Sequence, residues 1–200
     1  LDVDEFLTAI CAVRRKAVVN KFFVNFNKSK HCCSDSYIYD SILKLDLKEH
    51  FILTARYLKH FNKRDTLYLG YDPGHFSSIV VGQEKNYGRQ FRIIKEFYCC
   101  YPDEQPELAR QIWEFFGSES LSKHIVLYPD RAGNKTREEL EQVGTDSRAM
   151  KKEVENYGFT VELMIEGQGT IYHWQQFKLM AMIMSGRSNV LPELLIDEKE

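Results

Sequence analysis

Residues 67–74 read LYLGYDPG, a hydrophobic run that ends in Asp72 and is followed at once by Pro73 and Gly74. Residues 125–129 read IVLYP, and this second run ends in Asp130. Both runs are short, rich in β-branched or aromatic residues and stopped by turn residues, which is typical of buried strands. Each predicted strand therefore presents a carboxylate where it ends.

The pattern around these two runs predicts an ordered series of elements. Apolar residues at alternating spacing predict the strands, and apolar residues at helical spacing predict the helices. The predicted strands cover 66–72, 77–83, 90–100, 124–130 and 159–163, with a hairpin turn at 84–88, helices at 106–116, 147–157 and 171–184, and a short edge element at 192–197. We expect Trp174, Phe177, Met180, Ala181 and Met184 to form the inward side of the last helix.

The element order β-β-β-α-β-α-β-α indicates an α/β protein with a ribonuclease H-like fold. Three antiparallel strands are followed by alternating helix and strand, which gives a mixed sheet with helices on both faces. The first and fourth strands lie side by side in that fold. The topology therefore predicts that Asp72 and Asp130 are neighbours.

Residues 1–64 form a less regular entry segment, and residues 65–200 form the ribonuclease H-like domain. The spacing of apolar residues predicts helices at 4–18 and 47–61, and Lys21 to Phe26 alternates as a strand does. The chain begins at Leu1 in mid-pattern and not at Met, so we interpret it as a piece of a longer protein.

Composition is that of a globular protein, with 44% hydrophobic and 28% charged residues among 200. The net charge of −2 gives no overall nucleic-acid signature, although a local basic patch suffices for binding. The stretch before Cys33 could supply such a patch, because no acid occurs from Phe6 onward. Lys21, Lys28 and Lys30 of this stretch either contact DNA phosphates or belong to an ordinary solvated face.

The five cysteines include two adjacent pairs and no CxxC spacing, which favours neither a disulfide framework nor a zinc ribbon. A reducing compartment is the simplest context for them. The sequence contains no apolar run long enough to span a membrane and no signal peptide pattern.

Paired carboxylates at neighbouring strand ends predict a site for Mg²⁺ or Mn²⁺, which prefer oxygen ligands. The alternative is that each Asp only stabilises its own turn, since Asp before Pro-Gly is good turn chemistry. The pair Asp72 and Asp130 at two strand ends favours the metal site.

Four further residues are candidates for accessory roles. His75 orients water or a phosphate, or is an ordinary exposed turn histidine. Asp146 is an accessory acid, or the N-cap of the helix at 147–157. Arg131 and Lys135 contact DNA phosphates, or balance the neighbouring carboxylate.

Several motifs in order resemble the nuclease domain of tailed-bacteriophage terminase large subunits over residues 66–200. They are YDPG at 71–74, YPDRAGNK at 128–135, GTD at 144–146, YGFTV at 157–161 and LLID at 194–197. The resemblance implies a metal-dependent endonuclease that uses two ions to cut concatemeric viral DNA during genome packaging. It places the first metal-binding acid on Asp72 and the second on Asp130.

The resemblance also implies a third acid, in a helix beyond Glu200, for which Asp197 is not a match. The implied partners are double-stranded DNA, a packaging ATPase of the same polypeptide, the portal protein and the small terminase subunit, in the cytoplasm of the bacterial host. No GxxxxGK[ST] motif occurs in this chain, so no Walker-type ATP site is expected.

Two other functions fit the predicted fold. The first is a non-catalytic ribonuclease H-like binding module in which the acids serve only turns. The second is a phosphotransferase of the sugar-kinase group, which is disfavoured because Gly74 is the only glycine after the first strand where a glycine-rich phosphate loop is needed.

Overall fold

The computed structural model describes residues 25–38, 42, 53–74, 76–100, 104–130, 145–165 and 173–197. In these ranges the strands form one sheet in the order β1-β7-β4-β3-β2-β5-β6. The strands are β1 (Cys32–Cys33), β2 (Leu67–Asp72), β3 (Phe76–Lys85), β4 (Gln90–Cys100), β5 (His124–Pro129), β6 (Thr160–Leu163) and β7 (Glu193–Asp197).

The sheet is built around the antiparallel meander β2-β3-β4. Strand β5 pairs with β2 in parallel, and β6 pairs with β5 in parallel. Strand β7 returns to the far side and pairs with β4, while β1 adds to β7. The predicted ribonuclease H-like arrangement, with the fourth strand beside the first, is confirmed.

The helices are α1 (Lys28–His31), α2 (Glu104–Phe116), α3 (Asp146–Asn156) and α4 (His173–Ser185). Helices α2 and α3 pack on one face of the sheet, and α4 contacts β7. The face under α2 and α3 holds the core, because alternate strand residues point into it. Its fully buried side chains include Leu67, Leu69, Ile79, Ile94, Leu108, Ile112, Phe116, Ile125, Leu127 and Met150. Full burial of each such side chain contributes about 1.5–3 kcal/mol.

The opposite face of the sheet, which we call the open face, is much more exposed to solvent. Phe76, Val80, Tyr98 and Tyr128 lie on it with large exposed areas. They alternate along their strands with the core residues, as a sheet that is covered on one side requires.

The entry segment differs from its prediction wherever it is described. A helix was expected over 47–61, but 53–61 contains only a 3₁₀ turn at Ala55–Tyr57. Backbone pairing explains this, because Ile38 N–H donates to the Tyr57 carbonyl and Lys59 N–H donates to the Ser36 carbonyl. The predicted helix at 4–18 and most of the predicted strand at 21–26 lie outside the described residues.

Two details of the other helices also differ. Trp174 was expected inside and is exposed, whereas Met184 is buried as expected. The helix predicted from 106 begins at Glu104, so Pro106 occupies its first turn, where its missing N–H costs nothing. No helix in the described ranges is long and apolar enough to cross a membrane.

Candidate functional site

Asp72 and Asp130 end two neighbouring parallel strands. Tyr71 and Pro129 are paired in the register of β2 and β5, and Asp72 and Asp130 are the next residues along each strand. The Asp130 N–H donates to the Tyr71 carbonyl over 2.6 Å, which continues the ladder by one step. Neighbouring strands lie about 4.8 Å apart, so the two aspartates are backbone neighbours, as the topology predicted.

Both aspartates lie on the open face. Tyr71 and Pro129 are buried, and successive side chains alternate between the two faces of a strand. Asp72 and Asp130 therefore point away from the core, and both are exposed. A cation or a large ligand can reach the two carboxylates from solvent.

The turn after Asp72 is closed by a residue other than the aspartate. The Ser77 hydroxyl donates to the Gly74 carbonyl at 2.9 Å and accepts from the Gly74 N–H at 3.1 Å. This turn sends the chain back as β3, where Ser78 pairs with Asp72. The interpretation of Asp72 as a turn residue alone is weakened, because Ser77 supplies the turn's side-chain hydrogen bonds.

The open face is accessible next to the aspartates because Gly70 has no side chain. A Cβ built on Gly70 would meet no atom within 4 Å. Tyr128 lies beside Gly70 in the register, and Val80 lies on its other side. Together they line a trough of about 320 Å³ that leads away from the two carboxylates.

On the core side, a hydrogen-bonded group lies directly behind the strand end. The amide of Gln105 donates to the Tyr71 hydroxyl at 3.4 Å and to Asp146 Oδ1 at 3.2 Å. Burial raises the pKa of Tyr71 far above its usual range, and the nearby charges of Asp146 and Glu104 act in the same direction. Tyr71 therefore stays a neutral phenol that holds α2 and α3 against β2.

Asp146 is not the N-cap that one prediction gave it. Thr145 is the N-cap, and its hydroxyl accepts from the Arg148 N–H at 3.3 Å. Asp146 is the first residue of α3, where a negative charge is stabilised by the helix dipole, and it is 1% exposed. Sequence reasoning missed Gln105, because nothing local in the sequence announces a side chain that bridges two elements.

Of the predicted DNA-contacting residues, Lys28 and Lys30 are described, and both are exposed on α1. Lys30 donates to the Ser185 carbonyl at 3.3 Å. Helix α1 leads into the edge strand β1, and three strands separate β1 from β2. The structure therefore does not bring these lysines to Asp72 and Asp130. His75, Lys21, Arg131 and Lys135 lie outside the described residues.

The two aspartates fit a hard divalent cation in chemistry but supply few ligands. Within the described ranges, no group of three or more His, Cys, Asp or Glu side chains is placed to hold a metal ion. Asp197 is fully buried on β7, where Oδ1 lies 3.3 Å from Arg92 Nη1, and it does not extend the pair. Asp72 and Asp130 alone would leave most of the coordination sphere of Mg²⁺ or Mn²⁺ to water and substrate.

Comparison by sequence finds no matching family model and no matching curated protein. Comparison by structure does find matches. The large terminase from a thermophilic bacteriophage, in its crystal form 2, superposes with a TM-score of 0.51 over 90% of this chain, at 9% identity. The chain shares its fold with a phage large terminase.

The shared region is part of a longer protein in that case. The match covers 34% of the thermophilic phage's large terminase, so the chain spans about a third of its length. The P22 large terminase nuclease domain is similar over 90% of this chain and 74% of its own, with a TM-score of 0.49 and 11% identity.

Proposed function

We propose that this chain is the metal-dependent DNA endonuclease domain of a phage large terminase, which cuts concatemeric viral DNA during genome packaging. One observation carries the proposal: two aspartates end neighbouring strands on the open face of a sheet whose fold is that of a large terminase. Turn formation alone would not require acids at both strand ends, on one face and next to an open trough.

Asp72 and Asp130 would hold Mg²⁺ or Mn²⁺ through their carboxylate oxygens. When bound, the cation supplies a polarised water and compensates the charge of the phosphodiester. The chain's own contribution is position, because the backbone bond from Asp130 to Tyr71 fixes the two strand ends relative to each other. Gly70 leaves room beside them for the DNA backbone. His75 would orient water or the phosphate, and Arg131 and Lys135 would contact neighbouring phosphates.

Two carboxylates on exposed positions predict weak metal binding and slow cleavage. A pair of like charges repels a phosphate until a cation neutralises it, so DNA binding at this face should depend on the metal. The partners that accompany this function are proposals too: double-stranded DNA, a packaging ATPase of the same polypeptide, the portal protein and the small terminase subunit, in the host cytoplasm.

A plasmid-nicking assay tests the proposal. Wild-type protein with Mn²⁺ or Mg²⁺ should relax supercoiled DNA, and EDTA, Asp72→Asn or Asp130→Asn should abolish the activity. Glu162→Gln is the matched control, because Glu162 is an exposed acid on the same sheet, on β6. Its activity should equal that of the wild type.

Two results would overturn the nuclease. Metal-independent cleavage that survives in Asp72→Asn would assign the activity to a contaminant. DNA binding without any metal-dependent cleavage would instead favour the non-catalytic binding module.

A further inference from the structure

Two aromatic rings stand exposed on the open face close to the aspartates. Phe76 is 59% exposed and Tyr98 is 60% exposed. Their rings stack on each other with centroids 5.5 Å apart and planes inclined by 27°. Each ring therefore buries one side against the other and leaves much of its remaining surface in water.

The strand register places this pair in line with the candidate site. Asp72 pairs with Ser78 on β3, and Ser78 pairs with Tyr98 on β4. Paired residues share a face, so Tyr98 lies on the same face as Asp72, two strands and about 10 Å away. Phe76 lies two residues from Ser78, on the same face and nearer the strand end at which Asp72 lies.

An exposed stacked pair next to a site needs an explanation that a single exposed ring does not. Scattered apolar side chains are normal on a protein surface, whereas adjoining large rings beside a functional site mark a contact surface. The flat outer surfaces of Phe76 and Tyr98 suit a planar ligand, since aromatic rings prefer offset stacking. A nucleobase is the planar group that a DNA-cutting site brings within reach.

The charges of this face indicate that attraction to DNA is not ionic. Asp72, Asp130 and Glu96 all lie on the open face, and Glu96 is exposed beside Val80 in the register. Acids repel the phosphate backbone unless a divalent cation neutralises them. Binding on this face must then draw on the cation and on stacking, because every base has a π-face and stacking does not depend on sequence.

We propose that Phe76 and Tyr98 form a stacking platform for a base of an unpaired DNA strand whose backbone passes Asp72 and Asp130. This rests on the proposed nuclease function. The separation of about 10 Å corresponds to roughly three nucleotide steps of 3.4 Å. A base in a duplex keeps its neighbours on both sides, so only an unpaired or frayed base can present its face to the rings. The platform makes locally unpaired DNA the preferred substrate.

A base-stacking assay tests the platform directly. The ligand is a short single-stranded oligonucleotide that contains one 2-aminopurine, whose fluorescence falls when it stacks, with Ca²⁺ present to neutralise the carboxylates. Wild-type protein should quench the fluorescence only when Ca²⁺ is present. Phe76→Leu and Tyr98→Leu keep apolar volume but remove the ring, and each should weaken binding roughly 5- to 100-fold. Tyr98→Phe keeps the ring and should bind like the wild type.

The chain offers a matched control. Trp113 and Tyr157 form a second stacked pair with the same geometry, 5.5 Å and 27°, but Trp113 lies on helix α2, on the other side of the sheet. Trp113→Leu should leave quenching unchanged. All variants should keep the wild-type circular dichroism spectrum, since the substituted rings of the platform are mostly in solvent.

The outcomes separate this proposal from the nuclease itself. Absence of quenching by the wild type, or equal quenching by wild type and the Phe76→Leu/Tyr98→Leu double variant, overturns the platform even if plasmid nicking is intact. Quenching that is lost in the double variant upholds the platform even if no metal-dependent nicking is found. With both functions intact, the double variant should lose the preference for unpaired DNA and keep its Mn²⁺ binding.

Discussion

Removal of Arg92 should be the most damaging single substitution among the ion pairs of the described part of this fold. Arg92 on β4 and Asp197 on β7 form a buried pair, with side chains 9% and 0% exposed and a 3.3 Å contact between Nη1 and Oδ1. Arg92→Met leaves a carboxylate in the core without its main countercharge. Breaking a buried pair from one side typically costs about 3–5 kcal/mol. That is a large part of a total stability of about 5–15 kcal/mol, and it should lower Tm by roughly 6–20 °C.

Urea unfolding followed by circular dichroism measures this cost. Replacement of both partners, Arg92→Met with Asp197→Leu, should recover most of the lost stability, because no uncompensated charge remains. Arg110→Met is the control. Arg110 meets Glu107 at 2.7 and 2.8 Å, a better geometry, yet it is exposed and should matter far less. Equal losses for Arg92→Met and Arg110→Met, or additive losses in the double variant, would refute the reasoning.

Three further substitutions test particular features of the fold. Gly82→Ala should cost about 1–3 kcal/mol, because its Cβ would lie 2.4 Å from the Phe91 ring, whereas Gly70→Ala should change stability by less than about 0.5 kcal/mol. Similar urea midpoints for the two alanine variants would contradict the packing. Tyr71→Phe should flatten the loss of stability at high pH: burial raises the folded pKa, the unfolded phenol ionises near pH 10, and wild-type stability therefore falls as pH rises above about 10. An unchanged alkaline slope in urea titrations would reject this.

The elements from residue 66 onward were predictable because each is a local pattern. β2, for example, is an alternating apolar run that ends at Asp72 and a Pro-Gly turn, and its observed bounds differ from the prediction by one residue. Helix α3 ends close to Gly158, whose φ of +86 lies in the left-handed region that favours glycine there. Local propensity and tertiary packing agree in these elements.

The features that were missed depend on partners far away in the sequence. Strand β1 is two residues long and exists only because Cys32 and Cys33 pair with β7. The Arg92–Asp197 pair joins residues 105 positions apart, so neither residue's sequence neighbourhood indicates it. Of the candidate site, the adjacency of Asp72 and Asp130 followed from topology, whereas the stacked rings of Phe76 and Tyr98 needed the register of two hairpin strands.

The metal dependence of thermal unfolding tests most directly whether Asp72 and Asp130 form a cation site. Wild-type protein should gain thermal stability with increasing Mn²⁺, because the cation binds the folded state and relieves repulsion between two carboxylates. Asp72→Asn and Asp130→Asn should each lose this gain, while Glu162→Gln should keep it. An equal Mn²⁺-induced shift in wild type and in Asp72→Asn would contradict the site.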